Sequence, residues 1–146
     1  MAVLLDVNAL IALLDPAHMY GAAMERWFEE HCEEGWATCP ISENGCIRIL
    51  ATPSYAGGSV APSQSMASLR QLKSEYASSH QFWEGVSITD ETLFYPERIA
   101  GPRQITDAYL IALAIHHGGK LLSFDRRLPW QAVRGASAAS VYTPSS

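Results

Sequence analysis

Four acidic residues stand where chemistry could be done. Asp6 closes the apolar run Ala2-Val-Leu-Leu, and Asp125 closes the run Leu121-Leu-Ser-Phe. Glu43 falls just after Pro40, behind the stretch Trp36-Ala-Thr-Cys39, and Asp107 falls near the start of a Leu-, Ile- and Ala-rich segment. Carboxylates that converge raise one another's pKa, and either protonation or a hard divalent cation relieves them. Oxygen-only ligation selects Mg²⁺ or Mn²⁺. Zinc is disfavoured, because the chain has no His-x-x-x-His and no cysteine cluster. A pair of such ions about 4 Å apart suits phosphodiester cleavage by water. Each acid also has an ordinary reading. Asp6 could cap the segment that follows it. Glu43 and Asp107 could be first-turn acids favoured by a helix dipole, and Asp125 could open a turn beside Arg126. The four together are harder to explain that way than any one alone.

The elements that would have to position them alternate. The run Ala2–Asp6 reads as a buried strand and Asn8–Leu14 as a short helix. Asp15-Pro16 has the N-cap and first-turn signature of a second helix, carrying Tyr20, Ala23, Met24, Trp27 and Phe28 at helical spacing. Trp36–Cys39 reads as a second strand. Pro40 opens a helix, 51–61 is a Pro-, Ser- and Gly-rich loop, and Pro62 opens another helix. Phe82–Thr89 is a third strand, Gln104–His117 a helix stopped by Gly118-Gly119, Leu121–Phe124 a fourth strand and Ser140–Thr143 a fifth. Strands alternating with helices imply a parallel sheet covered on both faces. Ligands of such sheets bind beyond the carboxyl ends of the strands, where the strand order reverses. Asp6, Glu43 and Asp125 all fall just past such ends, and Asp107 joins them if its helix starts on that side.

The 146 residues suit one domain, 1–146, with a sizeable core, and 48% hydrophobic residues disfavour disorder. No apolar run reaches the roughly 18 residues of a membrane span. Met1–Leu14 lacks a basic leader and is interrupted by Asp6, so it is not read as a signal peptide. The three cysteines, Cys32, Cys39 and Cys46, follow no disulfide pattern, and a cytoplasmic protein is expected. The net charge of −5 argues at first sight against a nucleic-acid partner. Setting the four candidate acids aside leaves −1, and bound divalent ions would cancel the local repulsion, so the balance excludes nothing.

Asp6-Val-Asn8-Ala-Leu resembles the opening D-x-N motif of PIN-domain ribonucleases. The segment Ile41-Ser-Glu43-Asn-Gly-Cys-Ile-Arg48 is similar to that family's second acidic helix. Thr106-Asp107-Ala-Tyr-Leu and Leu121-Leu-Ser-Phe-Asp125-Arg126 look like its third and fourth motifs, in the order and spacing of VapC-type toxins. The resemblance runs from Ala2 to Val141. It implies a PIN-like three-layer α/β/α sandwich around a parallel sheet of about five short strands. It also implies a metal-dependent endoribonuclease in which Asp6, Glu43, Asp107 and Asp125 surround one or two Mg²⁺ or Mn²⁺ ions. Asp6 and Asp107 would ligate directly, Glu43 and Asp125 could join them, and Asn8 and Ser123 would support. Two departures touch the second ion: Leu128 stands where some members carry a further acid, and Asp90 matches no motif of the family.

On this reading water attacks a backbone phosphate in line and leaves 5′-phosphate and 3′-hydroxyl ends. No histidine base is needed, so His116 and His117 are expected to be dipole partners at a helix end. Arg48, Arg103, Arg126 and Arg127 are candidates to grip RNA phosphates. Trp83, Phe94 and Tyr95 could stack bases, although core packing is the commoner fate of Trp and Phe. The partners implied are an RNA substrate, an antitoxin with a basic inhibitory segment, and a second copy of the chain held by apolar surface on the first helices. A PIN nuclease of RNA processing is the alternative within the family. Outside it, a haloacid-dehalogenase-like phosphatase would need an acid at Asn8, and a receiver domain would need Lys120 after its strand rather than before it. A non-catalytic module that captures basic segments in an acidic pocket is the remaining rival.

Overall fold

The structure, a computed structural model, describes residues 2–145. Met1 and Ser146, the ends of the span expected to form one domain, lie outside the described residues. The sheet has five parallel strands: β1 (Val3–Leu5), β2 (Trp36–Thr38), β3 (His80–Phe82), β4 (Lys120–Leu122) and β5 (Val141–Tyr142), in the order β3-β2-β1-β4-β5. Register is set by Leu4 opposite Ala37 on one side and Leu121 on the other. Neighbouring residues of a strand face opposite layers. Leu4, Ala37 and Leu121 pack with Trp83, Phe94 and the helix α5 (Pro102–His116), while Leu5, Trp36 and Leu122 pack on the other face with helices α1 (Val7–Leu14), α2 (Gly21–His31), α3 (Pro40–Leu50) and α4 (Pro62–Glu75). This is the expected α/β/α sandwich, and its double burial explains why the central β1, Val3-Leu4-Leu5, is apolar at every position rather than at alternate ones.

The chain leaves β1 towards α1 on one face and reaches β4 through α5 on the other. The order of strands therefore reverses between β1 and β4, which makes the carboxyl ends of those two strands the binding edge of the sheet. Helix starts follow local chemistry. Asp6 caps α1, its Oδ1 accepting from the Ala9 N–H at 2.7 Å. Pro40, Pro62 and Pro102 each sit in the first turn of their helices. Gly118, at φ +71°, takes the left-handed turn that ends α5.

Three sequence expectations are corrected. Asp15-Pro16 does not open α2: Asp15 ends α1, and its side chain accepts from the Ala17 N–H and from the Tyr55 hydroxyl, so it closes a turn and pins the 51–61 loop. Helix α2 then begins at Gly21. The third strand is His80–Phe82, not Phe82–Thr89, because Trp36–Thr38 pairs with His80–Phe82 and leaves the residues beyond Trp83 without a ladder partner. Asp90 consequently sits in a loop, where Thr92 donates to its carboxylate from both hydroxyl and N–H and holds it below the usual range. It is not a member of the acidic site. Helix α5 starts two residues earlier than expected, at Pro102, so Asp107 lies in its second turn.

Candidate active site

The binding edge gathers acids from three separate elements. Asp6 follows β1, Asp125 follows β4, and Asp107 comes from α5. Asp6 is 6% exposed, and burial pushes its carboxyl up to about 6. The Asp125 charge pushes the same way, against hydrogen bonds from Ser123 and the Ala9 N–H. Burial raises Asp107 to about 6 as well, and the charges of Asp6 and Asp125 add to it. Asp125 thus burdens both and Asp6 burdens Asp107, and neither Asp6 nor Asp107 has a cationic partner among the described residues. Asp6 caps α1 as its ordinary reading has it, and the same hydrogen bond fixes its carboxylate at the strand end.

Ser123 is buried and its hydroxyl serves both sides, accepting from the Asp125 N–H at 3.1 Å and pulling down the Asp6 carboxyl. Asp125 is exposed, and its Oδ1 accepts from the Arg127 N–H at 2.8 Å, which turns the chain sharply after β4. Asn8 is exposed in the first turn of α1, and its side chain makes no hydrogen bond to a carboxylate among the described residues.

Glu43 is placed differently. It stands in the first turn of α3, past the end of β2, where Lys73 of α4 meets its Oε2 at 2.8 Å. The Thr38 hydroxyl donates to the same oxygen at 2.6 Å. With its one hydrogen so used, Thr38 accepts from His80 Nε2 at 2.8 Å. Burial and the nearby Lys73 hold His80 below the usual histidine range, against the pull of Glu43. Thr38, Lys73 and His80 were not singled out in the sequence. Lys73 left no distinct signal there, as one of two cations with Arg70 on a helix read from its apolar face.

The donor set around Asp6 and Asp107 is all oxygen, which fits a hard divalent ion. Among the described residues no group of three or more His, Cys, Asp or Glu side chains is placed to hold a metal ion. An ion held by two protein carboxylates and several waters, as Mg²⁺ prefers, needs no such group.

The other candidates divide. Arg48, Arg103, Arg126 and Arg127 are exposed, on α3, at the start of α5 and in the turn after β4. Trp83 and Phe94 are core residues, 3% and 2% exposed. Tyr95 is taken by two guanidinium groups, Arg98 at 4.0 Å and Arg134 at 4.1 Å from its ring centroid. His116 and His117 lie at the far end of α5 from Asp107, with His117 stacked on Trp83. The first helices do not carry the exposed apolar surface: Ala9–Ala12, Met24, Trp27 and Phe28 are buried against the sheet. Exposed apolar side chains stand elsewhere, at Met19, Met66 and Phe82, and at Ile41, Ile88 and Ile105, which line one pocket and are 43–46% exposed.

Acids gathered from β1, β4 and α5 at the reversal point of a parallel sheet define a class of domain, and the family model described as "PIN domain" matches residues 3–134. The chain belongs to the PIN domain family. Across almost its whole length it is similar to Ribonuclease VapC44 of Mycobacterium tuberculosis, 39% identical over 145 residues that cover 98% of this chain and 99% of the relative. Ribonuclease VapC39 of the same organism is also 39% identical, over 136 residues covering 92% and 96%. The crystal structure of VapBC2 from Rickettsia felis bound to a DNA fragment from their promoter holds a chain of the same fold, with TM-score 0.63, 11% identity, and coverage of 99% and 100%. No helix among the described residues is long and apolar enough to cross a membrane.

Proposed function

We propose that this chain is an endoribonuclease of the VapC type, the toxin of a toxin–antitoxin pair, working as a single domain in the cytoplasm. One observation carries the reading: Asp6 is buried and Asp107 half-buried, the charge of Asp125 burdens both and that of Asp6 burdens Asp107, with no protein cation among the described residues to relieve them. A bound Mg²⁺ or Mn²⁺ would relieve that repulsion and acidify a water beside the scissile phosphate. Asp6 and Asp107 would hold the ion, Asp125 would flank them, and Asn8 could reach a water from the first turn of α1. Ser123 keeps Asp6 oriented, through a hydroxyl that is itself fixed by the Asp125 backbone. Glu43, neutralised by Lys73, would face the substrate at the rim rather than add a fourth bare charge. Arg126 and Arg127 flank the site after β4, and Arg103 lies near it on α5, placed to meet phosphates.

An antitoxin would inhibit by laying a basic segment over the same acids. A second copy of the chain would cover Ile41, Ile88 and Ile105, an apolar patch next to Asp107. The purified protein should cleave cellular RNA with Mn²⁺ and leave 5′-phosphate and 3′-hydroxyl ends, read by ligation-based sequencing of the fragments. If neither Mn²⁺ nor Mg²⁺ brings any RNA cleavage, the reading fails. Light scattering should give about twice the 16.0 kDa chain mass, and Ile105→Glu should return the monomer mass.

A further inference from the structure

A cleft of about 660 Å³ runs between α3 and α4, starting at Glu43. Its floor is apolar, with Leu69 buried, Ile47 half-buried and Met66 half-exposed. Its walls carry Arg48, Arg70 and Lys73, three of the ten Lys and Arg of a chain whose net charge is −5. Lys73 is paired with Glu43, but Arg48 and Arg70 are exposed and have no carboxylate partner among the described residues. Beyond Lys73, whose Nζ lies 5.1 Å from the ring centroid, Phe82 ends β3 with 48% of its surface open. No sheet contact requires an exposed aromatic there.

Cations above an apolar floor, with an exposed aromatic ring at one end, are what a single-stranded nucleic acid asks for: charges for its phosphates and flat faces for its bases. A basic antitoxin segment would be repelled from these walls and drawn to the acids at the sheet edge instead. We propose that the α3–α4 cleft is the path of the RNA strand leading away from the cut site, with Arg48 and Arg70 on its phosphates and Phe82 against a base. This deepens the endoribonuclease reading and rests on it. Lys73 sits where path and site join, and it would be shared between Glu43 and the nearest phosphate. The cleft then sets how far from the cut a substrate must remain unpaired, since a duplex cannot offer bases to Phe82.

The test measures binding by fluorescence anisotropy in the Asp6→Asn background, so that no probe is cut. The probes are fluorescein-labelled single-stranded oligouridylates of about 15 and about 4 nucleotides, spanning the range of single-strand site sizes. Arg48→Glu with Arg70→Glu should weaken the long probe about tenfold or more and the short one less than about twofold. It should also lower the salt slope by about 1.4, at about 0.7 per lost phosphate contact. Arg48→Lys with Arg70→Lys should keep both affinity and slope, which separates charge from misfolding. Phe82→Ala should weaken the long probe about fivefold with the slope unchanged. An unchanged long-probe affinity in the charge-reversed protein overturns the proposal. So does an oligoglutamate of equal length that binds as tightly as the RNA and is lost on the same substitutions, because the cleft would then receive an acidic protein segment. If this binding pattern holds while the unsubstituted protein cuts no RNA, the nuclease reading fails and the cleft stands. If RNA is cut and the binding ignores the cleft, the cleft fails alone.

Discussion

Two acidic regions at the same sheet edge are treated in opposite ways. At the edge formed by the ends of β1 and β4, Asp6 is buried and Asp107 of α5 half-buried, with Asp125 beside them, and the carboxyls of Asp6 and Asp107 are pushed up to about 6. One strand away, Glu43 is met by Lys73 at 2.8 Å and by the Thr38 hydroxyl at 2.6 Å. The first region leaves charge unbalanced and so creates a demand for an external cation. The second is balanced within the protein and demands nothing. A fold keeps the first arrangement at a cost in stability, which protonation or a bound cation would relieve.

The largest expected effect comes from removing that demand. Asp6→Asn or Asp107→Asn should lower RNA cleavage by more than about 100-fold, above what loss of a merely supporting group costs a metal site. Circular dichroism should stay unchanged, because Asn caps a helix about as well as Asp and can still accept from Ala9. Next in size is the response to metal. Saturating Mn²⁺ at pH 7.5 should stabilise the protein by about 2.7 kcal/mol at one hundred times its dissociation constant. For a chain of this size that is roughly 5–10 °C in Tm by scanning calorimetry. The shift should vanish in Asp6→Asn. An equal shift in that variant would place the ion elsewhere and end the contrast.

A smaller effect follows from pH. The folded carboxyls of Asp6 and Asp107 titrate near 6 and the unfolded ones near 3.8. Between those values the folded state binds more protons, so metal-free stability rises as pH falls through 6 and the gain is complete below 3.8. From pH 7.5 to pH 5, Asp6 alone contributes about 1 kcal/mol of this gain. Metal-free protein should therefore melt a few degrees higher at pH 5 than at pH 7.5, and Asp6→Asn should flatten the difference. A rise in stability with pH over that range would show the acids to be compensated after all.

Most of this site was legible as sequence because its acids are tied to strand ends, and a strand end followed by a helix start leaves a local trace: Asp6 behind Val3–Leu5, Asp125 behind Lys120–Leu122, Pro40 before Glu43. The neutralisation of Glu43 left none, since Lys73 reaches it from α4 and His80 reaches its partner Thr38 from β3, elements distant in sequence that the fold brings near. The same non-local pairing explains the misplaced third strand. Phe82–Thr89 is apolar enough to be a strand, but register with Trp36–Thr38 selects His80–Phe82. At Asp15-Pro16 two local signals competed. The pair that can start a helix can also close an Asx turn, and the Tyr55 hydroxyl, forty residues on, favours the turn.

The smallest effect is the sharpest check on the balanced region. Glu43 and Lys73 are partly open to water, with side chains 21% and 30% exposed, so their mutual attraction is screened. A double-mutant cycle of Glu43→Gln and Lys73→Met, followed by urea denaturation, should give a coupling below about 1 kcal/mol. The signs matter more than the size. Glu43→Gln removes a compensated charge and should leave metal-free stability unchanged or slightly lower, whereas Asp6→Asn removes an uncompensated one and should raise it at pH 7.5. Lys73→Met should act like Glu43→Gln, but with a larger loss, because it strands the part-buried Glu43 carboxylate without its cation. If Glu43→Gln instead raised stability as Asp6→Asn does, Lys73 would not be neutralising it, and the two regions would be one continuous acidic site.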